Sequence, residues 1–165
     1  MSYDWIMRQD PLPSMVAAGV ALKEFTGAEL GKALGVDDRV GDIRWLWLAR
    51  VAQLAGFGMP SNPLRYRSWI RWGRPLIPEV EFPSFGDLIL TPESIGDLGV
   101  YLGEDDDAYH VLRCNNDGDV VMDKFSRALF WTARRPSYET VPVTVRQIRV
   151  GTRGALKNGE ASKEK

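Results

Sequence analysis

The chain has 165 residues, 44% of them hydrophobic and 26% charged, with a net charge of −1. This is the size and composition of one soluble globular domain that can bury a core without disulfides or metals, and its charge excludes the broad basic face of a general nucleic-acid binder. The single cysteine and single histidine exclude an intrachain disulfide, a multi-cysteine zinc site and a His-rich metal site.

Residues 1–13, MSYDWIMRQDPLP, read as an irregular N-terminal arm carrying two prolines. SMVAAGVALKEF follows as a helix, with Ser14 as N-cap and Gly27 as its stop. AELGKALGV is a second short helix closed by Gly35. The strongest helical signal is IRWLWLARVAQLAGF, capped by Asp42 and ended by Gly56. Only Arg44, Arg50 and Gln53 interrupt its apolar surface, so it belongs in the centre of a core or against a partner. A loop, GMPSNPLRY, leads to a short helix in RSWIRWG.

From residue 74 the pattern changes to strands. DLILTP, DLGVYLGE, AYHVLRCN, DVVMDKF and ALFWTARR are short runs rich in β-branched and aromatic residues. GEDDDA and NNDGD read as hairpin turns, the acidic one a solvated tip. One more strand is expected in SYETVPVTVRQIRVG, residues 137–151, and residues 152–165 read as a disordered polar tail. Helices first and an antiparallel sheet second make an α+β domain over residues 14–136. No basic segment with an apolar run of signal length is found, and no stretch of about 18 apolar residues. The chain is expected to be made in the cytoplasm, with no membrane insertion.

Four spans, in order, resemble the phage and bacterial peptidoglycan hydrolases of the NlpC/CHAP type, which have a papain-like fold. They are KEFTG (Lys23 to Gly27), RSWIRWGRPL (Arg67 to Leu76), FGDLIL (Phe85 to Leu90) and GDLGVYLGEDDDAYHVLRCNND (Gly96 to Asp117). The resemblance implies a cysteine nucleophile at the start of the central helix, a histidine base on the adjacent strand and a polar third residue. Counting from Trp45 puts the thiol position at Leu46, and counting back from Gly56 puts it nearer Arg44. The glycines with Tyr101 and Leu102 put the histidine position at Asp97, while the third position is Asn115 or Asn116. The family's cysteine and histidine are therefore missing, and no catalytic residue is assigned.

His110 and Cys114 are the alternative dyad. Four residues apart on a strand, they are separated by about 13 Å, beyond hydrogen-bond reach; Cys114 reads as a packed thiol and His110 as an ordinary strand residue. The carboxylates Asp97, Glu104, Asp105, Asp106 and Asp107 lack the spacing of a calcium loop. Asp97 with Asp87 or Glu93 is the one pairing that a glycosidase mechanism would draw on. No metal and no cofactor is expected.

RYRSWIRWGR interleaves arginines with aromatics. Arg65, Arg67, Arg71 and Trp69 are the candidate partner contacts. Because the resembled family is frequent in phages, the expectation is an inactive hydrolase fold acting as a structural or adaptor part of a virion, in the tail, baseplate or neck. Its partners would be other virion proteins, with peptidoglycan as a second candidate. A peptidoglycan-binding module, or an active hydrolase using other residues, is the competing expectation.

Overall fold

The computed structural model describes residues 3–37, 39, 41–77, 79–129 and 132–151; the expected polar tail lies outside them. Helices α1 (Asp4–Met7), α2 (Ser14–Ala21), α3 (Gly27–Leu34), α4 (Ile43–Leu54) and α5 (Tyr66–Trp69) precede most of the sheet. The strands are β1 (Arg74–Pro75), β2 (Leu88–Leu90), β3 (Leu98–Glu104), β4 (Ala108–Cys114), β5 (Val120–Ser126) and β6 (Thr132–Arg135). They form one six-stranded antiparallel sheet in the order β1-β6-β2-β3-β4-β5. The fold is α+β, with helices on a face of an antiparallel sheet.

Helix α4 sits in the middle. Trp45, Leu46, Trp47, Leu48, Ala49, Val51 and Ala52 are all buried, because α2, α3 and β4 pack around it. Strand alternation then divides the sheet. Leu88, Leu90, Leu98, Val100, Leu102, Leu112 and Cys114 join the helices in one core. Ile89, Tyr101, Tyr109, Val111, Phe125 and Ala133 make a second cluster on the opposite face. Gly99 is what lets β3 and β4 approach on that face: a Cβ there would lie 2.6 Å from the Val111 Cβ.

Local chemistry differs from expectation at several boundaries. Residues 4–7 are helical rather than irregular, and Ile6 is fully buried. Ser14 is the first helical residue, not the cap; Pro13 holds the cap position. Gly27 starts α3 instead of ending α2, because Thr26 and Glu29 form a capping box. Beyond Pro136 the expected strand reduces to a parallel bridge between Arg149 and Glu104. Pro142 can donate no ladder hydrogen bond there, and the segment is instead tied down at single points. Thr144 Oγ1 donates to the Pro11 carbonyl (2.6 Å), and the Arg146 carbonyl accepts from the Phe85 amide (2.9 Å). Before β6, residues Arg127–Leu129 form a 3-10 turn whose Ala128 amide is held by Ser126 Oγ (3.2 Å).

One ion pair fastens β6 to the approach to β2. Arg135 donates to both oxygens of the fully buried Asp87, at 3.0 and 2.9 Å. It also reaches Glu81 (2.9 Å), which a second arginine, Arg74, grips at 2.8 and 2.7 Å. The Arg74 hydrogen bonds, with help from the Ile77 amide, hold the Glu81 carboxyl down at about 2. Removing Asp87 strips two charge-assisted bonds from the buried Arg135, which keeps only Glu81 and the Phe82 carbonyl. Asp87→Ala is expected to lower unfolding stability by about 3–5 kcal/mol, read as a shift in the urea midpoint. A loss below about 1 kcal/mol would show that the pair is not a fastener.

Candidate functional site

Asp42 caps α4 through its side chain, which accepts from the Arg44 amide at 2.9 Å. The same carboxylate grips the Arg44 guanidinium, with Nε and Nη2 at 3.1 and 2.8 Å. This leaves Nη1 free to donate to Asp97 Oδ1 at 2.7 Å. Asp97 lies just before β3, where Thr91 clamps its backbone: the Asp97 amide donates to Thr91 Oγ1 (2.9 Å) and the Thr91 amide to the Asp97 carbonyl (3.0 Å). Arg113 approaches the same carboxylate oxygen at 3.8 Å. Arg44 also lies over the Trp45 ring, 4.8 Å from its centroid.

The two counting schemes for the thiol position are thereby separated in space. Leu46 points into the core and is 1% exposed. Arg44 is the residue that meets Asp97. Between them, Trp45, Trp47, Leu48, Leu98 and Cys114 complete a crevice with a free volume of about 10 Å³, roughly the space one water needs. The hydrogen bonds to Arg44 hold the Asp42 carboxyl below its usual range. The bonds to Asp42, then the attraction of Asp97, hold the Arg44 guanidinium above its own. Asn115 does not turn toward Asp97; its Oδ1 accepts from the amides of Asp117 and Asp119, at 2.9 Å each. Asn116 is exposed in the same turn.

His110 and Cys114 have separate partners. Burial, and the nearby Asp42 charge, push the Cys114 thiol up to about 12, so it carries no thiolate at neutral pH. His110 is fully buried between two oxygens, Asp105 Oδ2 at 2.7 Å from Nε2 and the Tyr3 hydroxyl at 2.9 Å from Nδ1. A carboxylate only accepts, so Nε2 carries the proton and Nδ1 accepts from Tyr3. His110 is thus a pin between the N-terminal segment and the acidic turn, not an ordinary strand residue.

The acidic turn is solvated only in part: Asp106 and Asp107 are exposed, but the two carboxylates before them are not. Glu104 is 1% exposed and Asp105 is 6% exposed. Glu104 accepts from the Tyr101 hydroxyl (2.7 Å) and faces Arg127 and Arg149, each at 3.3 Å. Asp105 accepts the amides of Asp107 and Ala108, both at 2.8 Å. Burial alone would raise the Asp105 carboxyl, but those amides and His110 outweigh it and hold it lowered. Nor do the other carboxylates form an acid–base pair: Asp87 is held by Arg135, Asp97 by Arg44 and Glu93 by Arg67. Among the described residues, no three His, Cys, Asp or Glu side chains gather as metal ligands. None of the described helices is long and apolar enough to cross a membrane.

The basic segment divides differently. Trp69 is fully buried, its indole N–H donating to the Pro63 carbonyl (2.9 Å). Arg65, Arg67 and Arg71 are exposed and line an open trough of about 1100 Å³, walled by the Gly56–Asn62 loop, Tyr66, Trp72 and Ser137. Tyr66 joins trough to crevice: its hydroxyl donates to the Thr91 carbonyl, and its ring lies 6.3 Å from that of Trp45. No family model matches the chain, and no curated protein matches it.

The His110 pin makes a pH prediction. Burial pulls its imidazole below the usual range, against the opposing pull of its hydrogen bond to Asp105. The unfolded chain binds a proton near pH 6.5 and the native chain only below that, so stability falls as the pH drops through and below about 6.5. As His110 is the chain's only histidine, one imidazole resonance followed by NMR should titrate below 6.5. A midpoint above 6.5 would reverse the sign. Tyr3→Phe, which deletes one buried hydrogen bond, should cost about 1 kcal/mol by urea unfolding.

Proposed function

We propose that the chain is a non-catalytic member of the papain-like, NlpC/CHAP-type hydrolase fold, serving as a structural or adaptor component of a phage or phage-derived particle. The tail, baseplate or neck is the setting that fits. The observation that carries the reading is the 2.7 Å contact between Arg44 and Asp97. In the resembled family a thiol at a helix N-terminus faces an imidazole on the neighbouring strand. Here a guanidinium at a helix N-terminus faces a carboxylate at the start of a strand. The apposition is the same kind, but neither group can do the chemistry.

Arginine stays protonated and has no lone pair to act as nucleophile. Asp97 already spends one carboxylate oxygen on that cation, and the one thiol lining the crevice, Cys114, is held up at about 12, too high for a carboxylate to activate. The crevice of about 10 Å³ is far below the roughly 300–1,000 Å³ of ordinary ligand sites. Where a hydrolase needs an open cleft, this chain has a clamp from α4 to the β3 end. Without a nucleophile, a retained fold has value as a shaped surface, which is what an assembly component supplies.

Purified protein in a peptidoglycan zymogram should give no clearing. Clearing that Asp97→Ala abolishes would sink the reading in favour of a hydrolase with unconventional residues. Purified particles should contain the chain in stoichiometric amount by quantitative mass spectrometry; its absence there would remove the virion role. Recovery of the chain on insoluble wall, without clearing, would instead favour a peptidoglycan-binding module.

A further inference from the structure

The trough walled by the Gly56–Asn62 loop, α5 and the Arg71–Gly73 turn is a second surface, distinct from the closed crevice at Arg44 and Asp97. Its charge is the first clue. Three arginines and one glutamate line it, in a chain whose net charge is −1. Arg67 is engaged with Glu93 at the rim. The guanidiniums of Arg65 and Arg71 have no hydrogen bond or ion pair with any described residue. Each therefore offers its planar set of donors outward, the geometry that suits carboxylates.

The main chain is the second clue. The amides of Gly58, Met59, Ser61 and Asn62 donate to no described residue. Yet this loop is held in place from behind. The Trp72 indole N–H donates to the Gly58 carbonyl (2.6 Å) and that of Trp69 to the Pro63 carbonyl (2.9 Å). Phe57 meets Trp72 edge-on at 6.2 Å. A fixed segment with open amides is suited to donate to the carbonyls of a bound backbone, and its fixed shape lowers the ordering cost of binding.

The third clue is what the trough lacks. Nucleic acid and glycan are gripped by aromatic faces laid open for stacking. Of the aromatic rings here, Tyr66 and Trp72 are only 9% and 6% exposed, and the half-buried Phe57 is engaged edge-on by Trp72 at 6.2 Å and Tyr138 at 5.4 Å. At about 1100 Å³ and open to solvent, the trough also lacks the enclosure that buries most of a small ligand's surface. Met59 and Ile70 add apolar lining beside the charges.

We propose that this trough is a docking site for an extended acidic polypeptide segment of a partner protein. Its carboxylates pair with Arg65 and Arg71, and its main chain runs along Gly58–Asn62. The inference deepens the adaptor reading by naming the partner's chemistry, but it rests on a different surface. A failed docking test would leave the inert Arg44–Asp97 site untouched, and a positive zymogram would leave the trough.

The test uses the full chain and fluorescence anisotropy at low ionic strength. The probes are a labelled Asp/Glu-rich peptide with one central leucine, its Asn/Gln counterpart, a labelled oligothymidylate and a labelled muropeptide. The acidic peptide alone should bind saturably, and more weakly as salt rises. Arg65→Gln and Arg71→Gln should each weaken it by about tenfold, the loss of one charge-assisted hydrogen-bonded pair. Arg8→Gln and Lys23→Gln, cations outside the trough, should leave it unchanged. Circular dichroism melts verify that the trough variants, at exposed positions, remain folded. Failure of the acidic peptide to saturate, equal loss in the control variants, or equal affinity for the oligothymidylate or muropeptide would each overturn the proposal.

Discussion

A helix that is apolar on every side cannot lie on a surface. Helix α4 imposes that constraint on everything around it. Trp45, Leu48 and Ala52 need cover on one side, Trp47 and Val51 on another, so α2, α3 and the sheet must all converge on one rod. Burial of side chains of this size contributes about 1.5–3 kcal/mol each, far more than any surface contact in the molecule. Placing α4 at the centre also fixes where its polar N-terminus emerges. It emerges at Asp42 and Arg44, beside the start of β3, so the ion pair with Asp97 follows from the packing rather than from any special device.

That geometry explains what was readable in the sequence and what was not. Helix α4 was legible because its apolar run is long and both ends carry chemistry, an aspartate before it and a glycine after it. The α+β order and the strand runs were legible for the same reason, since periodicity survives in one dimension. The pairing of Arg44 with Asp97 was not, because it links residues 53 apart. Counting along the chain left Leu46 and Arg44 equally eligible; in the fold Leu46 is buried in the core and Arg44 meets Asp97.

Other misses have local causes. Gly27 looked like a helix stop because glycine commonly is one. The preceding Thr26 and the following Glu29 together make a start signal that outweighs it. The acidic turn looked solvated because four consecutive carboxylates in a turn usually are. Here Tyr101, Arg127, Arg149 and His110 arrive from distant points to satisfy Glu104 and Asp105, and nothing within the turn announces them. His110 looked isolated for the same reason: one of its partners, Tyr3, lies 107 residues away.

The clasp made by Tyr3 on His110 and by Thr144 on Pro11 has a consequence for how the molecule comes together. The two contacts span 107 and 133 residues, among the widest separations in the structure. Closing so long a stretch carries a loop entropy of about 4 kcal/mol, more than the single hydrogen bond at either end returns. The N-terminal helix and the Thr144 segment should therefore seat after the α4–sheet core has condensed. They should also be the first to lift away in native-state fluctuations. The result is a stable centre with a late-closing rim, and the amides of that rim should exchange with solvent well before those of β3 and β4.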